Sequence, residues 1–282
     1  MDEQKYNLDQ SLAELNKLLN LSANATDKAS RETLAEKAKI IYEQFPESEE
    51  IALRYARILV NLSAKQENVE ERWNTANSVK EIVDRFNHSE EIALRYARIL
   101  VNLSAKQENV EERWNTANSV KEIVDRFNHS EDIALRYAKA LVNLSAKQEN
   151  VEERWNTANS VKEIVDRFNH SEDIALRYAK ALVNLSTKQT ELKEIEATAE
   201  KLETLQQKFQ KSPDIALQYA WILVNLSTKQ TKLKDLVTTA EKLENLQQKF
   251  QDSHDIAEAL ARILVNLSIK QTELKEIEAT AE

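Results

Sequence analysis

Glycine and cysteine are absent from all 282 residues, and proline occurs only at Pro46 and Pro213. A chain without glycine has few sites that adopt a positive φ angle at low cost, which argues against tight hairpins and phosphate-cradling loops. Missing cysteine removes disulfides and thiol chemistry, and fits a reducing compartment. No apolar run approaches the roughly 18 residues needed to span a bilayer. The opening Met1-Asp2-Glu3-Gln4-Lys5 has neither the basic nor the apolar part of a signal peptide. A cytoplasmic chain with no membrane partner is the expectation. Basic excess is missing too. At a net charge of −9 the surface does not suit phosphate neutralisation, so no nucleic-acid partner is expected.

What is present favours helix. Leu, Ala, Glu, Lys and Gln dominate, and all are good helix formers. With 41% hydrophobic and 31% charged residues, the composition is that of an ordered, all-α chain.

Internal periodicity is the main signal. The tripeptide Asn-Leu-Ser recurs with Asn at 20, 61, 102, 143, 184, 225 and 266, in steps of 41 residues. Ser48–His88 recurs letter for letter as Ser89–His129, and the next copy changes only at Asp132, Lys139 and Ala140. This predicts a single repeat domain, 1–282, with units 7–47, 48–88, 89–129, 130–170, 171–211, 212–252 and a truncated 253–282.

Each unit holds two helices. The first is expected from about Glu49 to Ser63, with Ser48 at the N-cap and Glu49 and Glu50 at the positive end of the dipole. The equivalent caps are Asn7, Ser89, Ser130, Ser171, Ser212 and Ser253, and Pro213 falls at a first helical position. The second helix is expected from about Val69 to Phe86, opened by Asn68 and Glu71 as a capping box and closed by Asn87 or, in the first unit, Pro46. Apolar residues surround most of the first helix and leave only Glu50, Arg54, Arg57 and Asn61 on a narrow stripe. The second helix is apolar over about half its circumference, through Val69, Trp73, Ala76, Val79, Ile82, Val83 and Phe86. First helices should therefore form an inner layer and second helices an outer one, with Trp73, Trp114 and Trp155 in the core.

Ala56 after Tyr55, the small pair Thr75-Ala76 and the closing Pro46 resemble tetratricopeptide repeats in plan. The resemblance covers the whole chain. It departs from the family in a unit longer than the usual length of about 34 residues, and in carrying Ala56 where the family has glycine. It implies a right-handed superhelical solenoid of antiparallel helix pairs, with first helices lining a concave groove and second helices forming the convex back. A HEAT-like stack is the alternative fold. Stability should be nearly one-dimensional, each unit held by its neighbours. Repeat 1 is more polar, with Glu14 and Lys17 where later copies carry Tyr and Ile, which suits an N-terminal cap. At the other end, Thr272–Glu282 copies Thr190–Glu200 and omits counterparts of Leu202, Leu205 and Phe209, as in a fragment of a longer array or a chain shortened by design.

Repetition bears on chemistry as well. His88, His129 and His170 occupy one position in successive units, about 10 Å apart by helix packing, too far to converge on one metal. Enzymes need unlike residues meeting at a point, whereas identical units supply parallel rows of one residue. No catalytic residue, metal or cofactor is expected. The rows themselves are the candidate partner-binding surface: Arg54, Arg57, Asn61, Arg95, Arg98, Asn102, Arg136, Lys139, Asn143, Arg177, Lys180, Asn184 and Asn225, joined by Trp221, which replaces a basic residue. Asparagine amides can grip a peptide backbone, and a basic row favours acidic side chains. Against this, Glu50 stands four residues before Arg54 and can neutralise it within its own helix. The asparagines can also satisfy helix ends or each other between repeats. Two functions follow: a non-catalytic scaffold binding a protein or peptide segment, acidic in character, or a structural spacer or self-associating rod, engineered or natural, whose end stacks on another chain.

Overall fold

A computed structural model describes the backbone of residues 2–281 and the side chains of residues 7–273. The described residues form thirteen α-helices in two compact units, Met1–Lys147 and Gln148–Glu282. Unit 1 holds α1 (Asp2–Asn24), α2 (Lys28–Gln44), α3 (Glu49–Ser63), α4 (Val69–Arg85), α5 (Glu90–Ser104), α6 (Val110–Arg126) and α7 (Glu131–Ser145). Unit 2 holds α8 (Val151–Arg167), α9 (Glu172–Ser186), α10 (Leu192–Lys208), α11 (Pro213–Ser227), α12 (Leu233–Lys249) and α13 (His254–Ala281). No described residue takes a positive φ, in keeping with the absence of glycine.

The helix starts follow their caps, with exceptions. Ser48, Ser130, Ser171 and Ser212 accept from the backbone N–H three residues on, and Asn68, Asn109 and Asn150 accept from two N–H groups each. Ser89 stands at the same place but makes no such bond. Asn7 lies inside α1 and caps nothing. Helix ends also differ from expectation. Second helices stop at a buried aromatic such as Phe86, whose φ of −106° and ψ of 54° leave the helical region. Anchoring the ring in the core, ahead of Asn87, turns the chain.

In unit 1 the first helices α1, α3, α5 and α7 stack in succession, and α2, α4 and α6 each lie against the first helix of their own repeat and of the next. The same pattern runs through α9, α11 and α13 with α10 and α12 in unit 2. Burial explains it. Ile51, Ala52, Tyr55, Ala56, Ile58, Leu59 and Leu62 are all buried on α3, so that helix is covered on nearly every side. Full burial of one such Ile or Leu stabilises by about 1.5–3 kcal/mol. On α4, Thr75, Ala76, Val79, Ile82 and Val83 face inward.

The tryptophans depart from expectation. Trp73 and Trp114 are 43% and 49% exposed, and Trp155 is half-buried beneath the Lys201 ammonium, 3.6 Å from the ring centroid. The reason lies one residue earlier. Arg72 takes the inward position, 4% exposed, and a residue one step along a helix is rotated by about 100°. Trp73 is thereby turned to the rim, where it lines an open groove with Val69, Gln107, Glu112 and Asn115.

Candidate functional site: the inter-repeat joint and the basic ribbon

The asparagine row is occupied by the fold itself. Asn61 Nδ2 donates to Ser22 Oγ at 2.8 Å, Asn102 to Ser63 at 3.2 Å and Asn143 to Ser104 at 2.8 Å. In unit 2, Asn225 donates to Ser186 at 2.8 Å and Asn266 to Ser227 at 2.9 Å. Each serine belongs to the preceding Asn-Leu-Ser motif and is itself tied to its helix, as Ser63 Oγ donates to the Val60 carbonyl at 3.0 Å. Two residues of one tripeptide therefore form opposite halves of one contact. A half-buried amide gains from such a partner, since an unpaired polar group out of water is costly.

The backbone of the same asparagines is held from the other side. Arg72 Nη1 donates to the Asn102 carbonyl at 2.8 Å, and Arg31, Arg113 and Arg154 make the equivalent bond to Asn61, Asn143 and Asn184. Arg72 Nε donates at 2.6 Å to the Gln66 carbonyl in the preceding turn, repeated by Arg113 to Gln107 and Arg154 to Gln148. These guanidinium groups are buried and face carbonyls at helix C-terminal ends, where partial negative charge accumulates. Burial pushes the Arg72, Arg113 and Arg154 guanidinium groups below their usual range, opposed by Glu67, Glu108 and Glu149 respectively. The turn is fastened further by Thr75 Oγ1 donating to Gln66 Oε1 at 3.0 Å, a buried bond repeated at Thr116, Thr157 and Thr198.

Exposed ion pairs follow the same step. Lys106 reaches Glu67, Lys147 reaches Glu108 and Lys188 reaches Glu149. His88 Nε2 and His129 Nε2 lie 3.3 and 3.2 Å from Glu49 and Glu90 at the start of their own units. Among the described residues no group of three or more His, Asp or Glu could hold a metal ion. No helix among them is long and apolar enough to cross a membrane.

This is an all-helical tandem-repeat protein. No family model matches the chain, and no curated protein matches it. Two solved structures are similar to it in part. One is the crystal structure of an engineered protein, 16% identical, with 91% of this chain and 97% of that one covered at a TM-score of 0.46. The other comes from a computational design of self-assembling cyclic protein homooligomers, 13% identical over 98% and 97% of the two chains at a TM-score of 0.16. Neither likeness bears on function.

The basic residues share the exposed stripe of the first helices, as expected, and all are half-buried. Most of those in unit 1 have partners. Arg54 Nε donates to Asn16 Oδ1 at 2.7 Å, and its Nη atoms bond the carbonyl and carboxylate of Glu50 at 2.9 Å. Arg57 approaches Glu91 of the next unit at 3.7 Å. Arg95 and Arg98 differ in that their Nε atoms are buried without a hydrogen-bond partner. Burial, followed by the charges of Arg57 and Arg98, pushes the Arg95 guanidinium down, while Glu91 and Asp132 oppose this. Arg136, Lys139 and Asn184 are engaged in contacts of their own. Arg177 and Lys180 continue the stripe on α9, where Arg177 Nε is again buried without a hydrogen-bond partner.

Trp221 is half-buried, with the Arg262 guanidinium stacked 5.0 Å above its ring. One face of the ring is thus occupied by a side chain of the next first helix. Sequence reasoning passed over the arginine series Arg31, Arg72, Arg113 and Arg154. A signal was present: Arg72 lies three residues after Val69 and four before Ala76, a charge on an otherwise apolar face.

Proposed function

We propose that the chain is a non-catalytic structural spacer whose recurring polar residues act as joints between repeats. The observation that carries this reading is the double hold on the asparagine row. Asn102 and Asn143 donate to the preceding repeat's serine, while their carbonyls accept from its arginine. Residues that recur unchanged at each step are accounted for by contacts between neighbouring units. A ligand surface is not needed to explain them. The test is an Asn61→Ala, Asn102→Ala, Asn143→Ala triple variant under denaturant. The spacer reading expects a clear loss of stability, about 1 kcal/mol per bond. Unchanged unfolding would remove the joint.

One observation favours a second reading for unit 1, an acidic protein or peptide segment bound along the basic stripe. Arg95 and Arg98 each leave a buried Nε without an acceptor, and Arg95 lies among like charges. A carboxylate-bearing segment would supply both acceptor and counter-charge. A glutamate-rich peptide titrated at low salt, followed by fluorescence anisotropy, should bind and weaken as salt rises. An Arg95→Gln, Arg98→Gln variant that binds equally well would reject the site.

A further inference from the structure

Repeat 7 carries the sequence of a helix–turn–helix without its fold. Residues 266–282 match 184–200 at every position but one, where Ile269 stands in place of Thr187. In repeat 5 this stretch ends α9 at Ser186, turns, and returns as α10, which packs against α9 and buries Ile195, Thr198 and Ala199. In repeat 7 the same stretch continues as one helix, and α13 runs unbroken from His254 to Ala281.

The fastenings of the turn explain the difference. Thr187 Oγ1 donates to the Asn184 carbonyl at 2.8 Å and Thr228 Oγ1 to Asn225 at 2.7 Å, drawing both away from further helical bonding. Ile269 has no hydroxyl with which to do so; Ala64, Ala105 and Ala146 lack one too, but in their turns the asparagine carbonyl is held by Arg31, Arg72 and Arg113 of the preceding repeat. Lys188 is tied to Glu149 and Arg154 to both Asn184 and Thr187, whereas the positions equivalent to Glu149 and Arg154 beside repeat 7 are Thr231 and Leu236. Lys270 pairs within its own helix instead, with Glu273 at 2.9 Å.

Continuation leaves a seat open. Leu264 and Val265 are 43% and 57% exposed, while their counterparts on α11, Leu223 and Val224, are 1% and 8% exposed. Leu223 lines a pocket with Gln230 and Thr239 of the returning arm in repeat 6. A straight α13 cannot lay residues 274–281 back over Leu264 of the same chain. We propose that two copies of the protein exchange these arms, residues 274–281 of each covering the Leu264–Val265 face of the other. The chain itself supplies the occupant, since residues 192–200, identical to 274–282, belong to α10, which packs against α9 in repeat 5. Exchange of an identical element reuses a contact already favourable inside one chain, and it closes at two copies. The N-terminal face is a poor alternative seat, because α1 presents exposed Glu14 and Lys17 where later copies bury Tyr55 and Ile58. This inference goes beyond the spacer reading, and losing the dimer would leave the joints untouched.

The full-length chain should sediment as a monomer–dimer equilibrium, measured by analytical ultracentrifugation over a wide concentration range. Leu264→Arg should give a monomer with unchanged helical circular dichroism. Ile269→Thr restores the turn-forming hydroxyl, lets each arm close on its own chain, and should weaken the dimer at least about tenfold. A monomer at every concentration, growth beyond two copies, or a dimer indifferent to both substitutions overturns the proposal.

Discussion

Asn102 is held from two directions, its amide on Ser63 and its carbonyl on Arg72, and the two bonds differ in weight. Losing the first removes one neutral, half-buried hydrogen bond. Asn143→Ala should therefore lower unfolding free energy by about 1 kcal/mol. Losing the second strands buried carbonyls. Arg113→Met leaves those of Gln107 and Asn143 without the cation that holds them, at about 1–3 kcal/mol for each buried group left unpaired. Urea denaturation of the two variants should rank the arginine above the asparagine, and the reverse order would mean that water replaces the guanidinium freely.

The buried tyrosines set an alkaline limit. Burial pushes the Tyr55, Tyr96 and Tyr178 phenols up to about 12, from the ordinary value of 10.0. In the unfolded chain they ionise near 10, so unfolding releases protons between these two values. Their contribution is complete below about pH 10 and is lost as pH rises toward 12. Tyrosinate absorbance should rise late and together with the loss of helical circular dichroism. Ionisation well before unfolding would show that these rings are open to water.

At the scale of the helix, capping and close packing make separate predictions. Ser130 accepts from the Ile133 N–H, whereas Ser89 at the equivalent place makes no cap bond. Ser130→Ala should cost about 1 kcal/mol and Ser89→Ala distinctly less, by thermal or chemical unfolding. Ala97 is fully buried on α5, which is stacked between α3 and α7. Ala97→Leu has no space to fill and should cost about 1–3 kcal/mol by overpacking. A neutral result would mean that the stacked first helices can move apart.

Helix positions and inner burial were legible before the structure, because caps and apolar periodicity are local signals. The first helix spans Glu49–Ser63 as its sequence indicates, and the second ends one residue short of the expected Phe86. What was not legible is pairing across repeats. Asn61 looks like a ligand residue on a helical wheel, and only the fold brings its amide to Ser22, 39 residues earlier. Trp73 looks like core for the same reason, until Arg72 beside it is seen to take the inward place.

For the molecule as a whole, the contacts that hold one repeat to the next recur at a single step, and this ties stability to neighbours rather than to a central core. Repetition of a 41-residue unit by itself determined that the chain is all-helical, where most helices begin, and which faces are covered. Those properties depend on spacing along a few turns of chain. Tertiary structure decided what local code leaves open. Residues 184–200 and 266–282 differ at one position, yet one stretch turns back and the other runs straight as part of α13. From repeat 2 to repeat 6 the asparagine carbonyl at the turn is held either by an arginine of the preceding repeat or by a threonine hydroxyl, and in repeat 5 by both. Where those partners are replaced, helical hydrogen bonding continues by default, because propagation adds a bond for each residue fixed.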